Sequence, residues 1–186
     1  MPTSLLENAG NMFRGPSGRR YKQIKVLGKG SYGMALLCED ASDALQQFVI
    51  KRVSLSRQSP KERHASVQEL ALMHQLKHRN LVNGCEYWIE NGCTAFLSMA
   101  YAQSGDLAAL LKRRQGSNIH EDDVKIMFVQ IASAAAYLHA NLILHRDIKT
   151  VNIFITSHGL LQLGDLGMCR RLESNSERPR TTARIS

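Results

Sequence analysis

A two-lobed α+β fold is what this sequence predicts, and three observations carry the prediction. Short apolar runs set between turn residues fill the chain from Tyr21 to Met99, apart from one helix-capped segment. Helical periodicity replaces them after Met99, and no internal repeat or low-complexity tract breaks the order. The expected plan is a five-stranded antiparallel sheet with one main helix, followed by a mainly helical part. The 186 residues, 44% of them hydrophobic and 22% charged, suffice for one globular unit that buries roughly 70% of the surface of its unfolded chain.

Three strands are predicted over 21–26, 34–39 and 47–52, separated by a glycine cluster and by the polar turn 40–43. Ser59 then stands at a helix N-cap, with Pro60 at the first helical position and Glu62 placed to close a capping box. Val67, Leu70, Met73 and Leu76 mark one buried face of that helix. Asn91-Gly92, the dipeptide best suited to a tight hairpin turn, separates two more strands over 86–90 and 93–99. Beyond them the spacing predicts a short helix over 106–114 and a long one over 120–140. The long helix is acidic in its first turn, and Val124, Met127, Ile131 and Leu138 form its buried face. Two short apolar runs, 153–155 and 160–163, surround the turn Ser157-His158-Gly159. Residues 1–20 read as a flexible leader, and the arginine-rich stretch from Arg170 as a mobile tail.

Composition narrows the function classes. No stretch approaches the ~20 apolar residues of a membrane span, and the start, MPTSLLENAG, lacks the basic-then-apolar pattern of a secretory signal. Cys38, Cys85, Cys93 and Cys169 show no paired metal-type spacing, so a reduced, intracellular setting is expected. Twenty-four Lys and Arg against sixteen Asp and Glu give a net charge of +8, which favours anionic partners without naming one. Nucleic acid is not an expected partner, because no nucleic-acid-binding motif or run of stacking aromatics accompanies the charge.

Gly28, Gly30 and Gly33, with Lys29 between the first two, form a G-x-G-x-x-G loop whose backbone amides can approach phosphate with no Cβ in the way. Strand-like MALLCE follows in place of a helix, which makes the loop a β-hairpin lid and separates it from dinucleotide-binding folds. Taken alone, it is more readily an ordinary glycine hairpin with no ligand. Lys51 ends the run Phe48-Val49-Ile50 behind that loop, where it can meet α- and β-phosphates or else be a solvated strand-end lysine. Glu69 falls on or near the inward side of the capped helix, where a carboxylate calls for a cation such as Lys51; read alone it is a surface residue.

The most informative segment is HRDIKTVN at 145–152. Asp147 can orient a hydroxyl and accept its proton, Lys149 can neutralise charge on a transferred phosphoryl group, and Asn152 can ligate a metal through its amide oxygen. Asp165-Leu166-Gly167 adds a carboxylate suited to magnesium, or is simply a turn. Glycine lid, strand lysine, helix glutamate, HRD segment and metal aspartate follow one another in the order that phosphoryl transfer requires.

In GKGSYG at 28–33, VIK at 49–51, Glu69, HRDIKTVN and DLG at 165–167, the sequence resembles a eukaryotic protein kinase, from about Tyr21 to its last residues. Lys149 resembles the serine/threonine-directed form of the catalytic loop. GKGSYGMALL, VIKRVSLSRQSPKER, KHRNLV, ENG, SGDL and HRDIKTVNIFIT are similar, more narrowly, to the NIMA-related (NEK) kinases. The resemblance implies a protein-kinase-like fold, with an N-lobe and hinge over 21–101 and a partial C-lobe over 102–186 ending in the activation segment. It implies ATP and Mg2+ as cofactors and protein Ser/Thr hydroxyls as acceptors. It gives catalytic roles to Lys51, Glu69, Asp147 and Lys149, and metal ligation to Asn152 and Asp165. Nucleotide contacts fall to Gly28, Lys29, Gly30, Gly33, Ala35, Lys51, Met99, Ala100 and Ala102. Met99 becomes the gatekeeper, 100–102 the hinge against adenine, and Met73, His145 and Leu166 members of a stacked regulatory spine. A cytoplasmic location with cytoskeletal, centrosomal, ciliary or flagellar association follows from the same resemblance.

Ala35 stands where many kinases have valine, as is usual among NIMA-related kinases, and Leu166 replaces the usual phenylalanine with an apolar side chain of different shape. The sequence ends at Ser186 inside what would be the activation segment, so a poorly stable fragment or truncated product is expected. The alternative function is a non-catalytic module that binds nucleotide or a partner protein. Thr181 and Thr182 are candidate phosphorylation positions that could pair with Arg146. The sequence does not indicate an oligomeric state.

Overall fold

A computed structural model describes residues 11–30 and 33–172; Thr181 and Thr182 lie outside the described residues. Its first element, β1 (Met12–Arg14), pairs antiparallel with β2 (Arg20–Lys29), Phe13 opposite Tyr21. Two expectations are thereby corrected. Part of the supposed leader is a strand, and the main sheet has six strands in the order β1-β2-β3-β4-β6-β5, not five. A strand of three residues is too short to show alternation in sequence. Long-range aromatic packing holds it instead, with the Phe13 and Phe96 rings 5.6 Å apart.

The sheet continues through β3 (Gly33–Asp40) and β4 (Asp43–Ser54) and ends in β5 (Gly84–Glu90) and β6 (Thr94–Ala100). Asn91 and Gly92 take the positive φ angles, +49° and +64°, that their hairpin demands. Period-two alternation gives the sheet two cores. Phe48 and Ile50 point outward with Tyr21, Leu36, Cys38 and Phe96, whereas Val53 joins Leu97, Met99 and the helical layer.

Between β4 and β5 runs α1 (Pro60–Gln75). The Ser59 side chain accepts the Glu62 N–H at 3.4 Å, while the Glu62 carboxylate accepts the Ser59 N–H at 2.8 Å and its hydroxyl at 2.7 Å. Leu70, Met73 and Leu76 are buried as the spacing requires. Ser59→Ala, which removes the cap but no core contact, is expected to lower unfolding stability by about 0.5–2 kcal/mol. Urea denaturation would record this as a lower midpoint at unchanged slope.

The second lobe holds α2 (Leu107–Arg113), whose Asp106 cap accepts the Ala109 N–H at 2.7 Å, and α3 (Glu121–Ala140). Ala134 and Leu138 are the buried residues of α3, with Met127 and Ile131 packed partly against the core. Val124, expected on the buried face, is 48% exposed, as are Ile126, Phe128 and Val129 to greater degrees. The strands that cover α3 are β7 (Ile143–Leu144) and β9 (Leu161–Leu163), and Val124 lies more than a turn before Gln130, which accepts the Leu161 N–H at 2.9 Å. β8 (Ile153–Ile155) pairs with β9, and β10 (Arg170–Arg171) pairs with β7. Arg170 and Arg171, read as the start of a mobile tail, are thus fixed by backbone pairing.

One apolar core crosses both lobes, taking Leu70, Met73 and Leu97 from one and Leu138, Ile153 and Leu163 from the other. The connection after α1 stitches them together. The Leu163 N–H donates to the Asn80 carbonyl and the Val82 N–H to the Leu163 carbonyl, each at 2.9 Å. No helix among the described residues is long and apolar enough to cross a membrane.

Candidate active site

Strand register builds the upper wall of a cleft between the lobes. Gly28 lies opposite Ala35, Ala35 opposite Lys51, and Lys51 opposite Leu97, so three adjacent strands present Gly28, Ala35 and Lys51 in one row. Alternation places Val49 on the same face as Lys51. These four residues line a cavity of about 480 Å³, with Met99, Ala100 and Ala102 behind them and Asn152, Phe154 and Asp165 on the opposite side. Its size and largely apolar wall with a few convergent polar groups suit a small-molecule ligand.

Lys29, Gly30 and Gly33 line an adjoining recess of about 390 Å³, which shares Gly28, Ala35, Lys51 and Met99 with the cleft and has Glu69 on its wall. The Gly30 N–H donates to the Gly33 carbonyl at 2.8 Å and closes the hairpin; Ser31 and Tyr32 at its tip lie outside the described residues. The glycines serve different ends. A Cβ on Gly33 would collide with the Arg52 carbonyl oxygen, so the backbone of β4 demands glycine there, whereas the space around Gly28 is open to a ligand.

Lys51 and Glu69 form an ion pair, their side chains 29% and 22% exposed. The pair joins β4 to α1, and α1 also approaches the DLG turn. A Cβ built on Gly167 would lie 3.2 Å from Asp165 Oδ1 and 3.5 Å from both Glu69 carboxylate oxygens. Met73, His145 and Leu166 are all buried, with Met73 and Leu166 in the shared core, so leucine fills its interior position. His145 Nε2 donates to the Gly164 carbonyl at 2.9 Å and Nδ1 accepts the Asp147 N–H at 3.3 Å, a pair of bonds that assigns the ring proton to Nε2.

Asp147 and Lys149 are not among the residues that wall either cavity; Asn152 links them to the cleft. Asn152 Nδ2 donates to the Asp147 carbonyl at 2.9 Å and to Asp147 Oδ2 at 3.0 Å, and Lys149 Nζ contacts the same Oδ2 at 2.8 Å. The hydrogen bond from Lys149 first, and that from Asn152 next, hold the Asp147 carboxyl below the usual carboxylate range against the opposing effect of desolvation. The Asn152 amide nitrogen is committed to Asp147, which leaves its oxygen as the atom available to a cation. The Gly164 N–H donates to the Asn152 carbonyl at 2.9 Å, tying this loop to the segment that carries Asp165.

Asp165 itself has left-handed backbone, φ +56° and ψ +78°, before a single 3-10 turn. Among the described residues no three His, Cys, Asp or Glu side chains cluster as metal ligands. Two oxygen donors from Asn152 and Asp165, supplemented by phosphate oxygens and water, fit a hard cation such as Mg2+, which keeps waters and needs few carboxylates.

Several wall residues escaped sequence reasoning, among them Leu27, Val82, Asp106 and Phe154, whereas Tyr101 belongs to the expected hinge. Phe154 carried a signal, since its neighbours Ile153 and Ile155 are both core residues and alternation turns it the other way. Val82 sits in an irregular connection, where no periodicity points to the cleft.

Comparison with known proteins agrees with this geometry. The sequence profile of the family described as "Protein kinase domain" matches residues 21–185. The chain is 41% identical to the mouse (Mus musculus) serine/threonine-protein kinase Nek4 over 157 residues, covering 84% of this chain and 20% of that protein. It is 40% identical to mouse serine/threonine-protein kinase Nek1 over 162 residues, 87% of this chain and 13% of the relative. With human (Homo sapiens) serine/threonine-protein kinase Nek5 it shares 37% over 163 residues, 87% and 23% respectively. The chain thus spans less than a quarter of the length of each of these relatives.

Proposed function

The chain belongs to the protein kinase domain family, and from that premise we propose that it transfers the γ-phosphoryl group of ATP to serine or threonine hydroxyls of proteins, with Mg2+ as the companion cation. The observation that carries this reading is the single cleft between lobes to which Gly28, Lys51, Asn152 and Asp165 all contribute. The similarity to Nek4, Nek1 and Nek5, each named a serine/threonine-protein kinase, supports the choice of acceptor.

In this proposal the row Gly28, Ala35 and Lys51 covers the nucleotide, and Met99 to Ala102 meet its base. Lys51, oriented by Glu69, contacts the phosphates. Asn152 and Asp165 hold Mg2+, which when bound neutralises charge on the phosphate oxygens. Asp147 orients the acceptor hydroxyl and takes its proton, and Lys149 offsets negative charge on the phosphoryl group in flight. Most of the rate enhancement then comes from positioning and electrostatics. A cytoplasmic location with cytoskeletal association belongs to the same proposal and rests on the resemblance alone.

Incubation with radiolabelled ATP, Mg2+ and a generic acceptor protein is expected to give labelled phosphoserine or phosphothreonine, abolished by chelation of the metal. Mg-ATP binding without label in any acceptor would favour the nucleotide-binding module. Absence of binding would contradict the cleft assignment itself.

A further inference from the structure

The hairpin that joins β1 to β2 lies against β5 through one carboxylate. Ser17, exposed at its tip between Pro16 and Gly18, donates its hydroxyl to Glu86 Oε1. Tyr21 contacts the other oxygen of the same carboxylate, Oε2, at 3.1 Å, and also reaches Ser98 Oγ at 3.1 Å. Gly15 packs so closely that a Cβ there would collide with the Glu86 carboxylate. A group esterified to Ser17 leaves no hydroxyl hydrogen to donate to Glu86. Ser17 is also flanked by cations, with Arg14 three residues before it and Arg19 and Arg20 after it. An exposed serine with arginine at that distance is a substrate suited to kinases whose acidic pockets select a basic residue upstream.

We propose that Ser17 is a phosphorylation site for an arginine-directed protein kinase, and that its modification releases the hairpin from Glu86. In the transfer the Ser17 Oγ–P bond forms, the bond from Pγ to the ADP oxygen breaks, and the hydroxyl proton passes to the base of the modifying enzyme. The product replaces a hydrogen-bond donor by a group of about −2 charge facing a carboxylate, and like-charge repulsion of this kind undoes a contact. The three-residue strand, the Asn11 carbonyl that accepts the Gln23 N–H at 2.9 Å and the Phe13 ring come away, while Arg19 stays anchored by its 3.1 Å ion pair with Asp40 and over the Phe48 ring, so the opening is local. The released phosphate has Arg14, Arg19 and Arg20 as neighbours in the chain. The proposal rests on the hairpin alone and is independent of the chemistry proposed for the cleft.

The full chain would be treated with a purified arginine-directed kinase and ATP, and the phosphate mapped by mass spectrometry. Ser17→Asp, Ser17→Ala and Ser17→Asp combined with Glu86→Gln would be compared in limited trypsin digestion. Phosphate on Ser17 is expected, and Ser17→Asp should be cut after Arg14 roughly tenfold faster than the parent, since cleavage tracks the open population. Emission from Trp88, the single tryptophan, should shift to the red, because its ring packs 5.0 Å from Phe96 and shares that cluster with Phe13. Ser17→Ala, which adds no charge, should stay near the parent, and Glu86→Gln should restore resistance to the Asp variant, showing that it is folded. If Ser17→Asp loses its circular dichroism altogether, the phosphorylated parent supplies the same two readouts. Phosphate found only at other positions, or cleavage of the Asp variant or phosphorylated parent at the parent rate, would overturn the proposal. Equal acceleration in the Ala and Asp variants would do the same.

Discussion

Asp147→Asn is expected to reduce kcat by about 10²- to 10⁴-fold while leaving Mg-ATP affinity within about twofold of the parent. The split follows from where Asp147 sits. It is outside the wall of the cleft between the lobes, yet its Oδ2 is fixed by Lys149 at 2.8 Å and by Asn152 at 3.0 Å. An amide keeps the shape but cannot take the proton of an attacking hydroxyl. The ionised state of Asp147 gives the prediction a pH dependence. Its carboxyl is held below the usual range, principally by the Lys149 hydrogen bond, so the base form persists as pH falls through the ordinary carboxylate region. Lys149→Ala removes that bond, and the acid limb of the pH–rate profile should move to higher pH. Near-normal single-turnover transfer by Asp147→Asn would rule out the base assignment.

Asp165→Asn is expected to weaken the metal-dependent part of nucleotide binding by at least about 10- to 100-fold, the scale on which loss of even an outer-shell partner weakens a metal site. Only Asn152 and Asp165 are assigned as protein donors, and Asp165 brings the only charge of the two, so the substitution removes the anionic member of the pair. The substitution keeps the side chain's size and an oxygen that can accept the Gly167 N–H, now at 3.4 Å, while Leu166 stays buried. Metal-free nucleotide affinity should therefore change little.

Much of the architecture was legible where local chemistry dictates it. Ser59, Pro60 and Glu62 specify the start of α1 within a few covalent bonds, and Asn91-Gly92 specifies its hairpin through backbone sterics alone. The failures share a different cause. β1 exists because Phe13 meets Phe96, a partner more than eighty residues away, and Arg170 and Arg171 are ordered by pairing with β7. Val124 matched the period of a buried face, but the strands that cover α3 do not reach its first turn.

The site shows the same division. Lys51, Asn152 and Asp165 could be named because each belongs to a short segment with its own chemistry, and Lys51 does meet Glu69 as the cost of an unpaired inward carboxylate suggested. Val82 and Phe154 contribute surface rather than chemistry, and only the assembled lobes bring them into the wall of the cleft. Gly33 marks a subtler limit: its place in a phosphate-type loop hid a requirement set by the Arg52 carbonyl.

The central claim is that Lys51, Glu69, Asp147, Asn152 and Asp165 serve one nucleotide-and-cation site. Calorimetric titration of the chain with ATP, in Mg2+ and then in chelator, tests it most directly when repeated on Asp165→Asn. Tighter binding in Mg2+ for the parent, with that enhancement lost in the variant, is the predicted result. ATP affinity indifferent to Mg2+, and unchanged by Asp165→Asn, would contradict it.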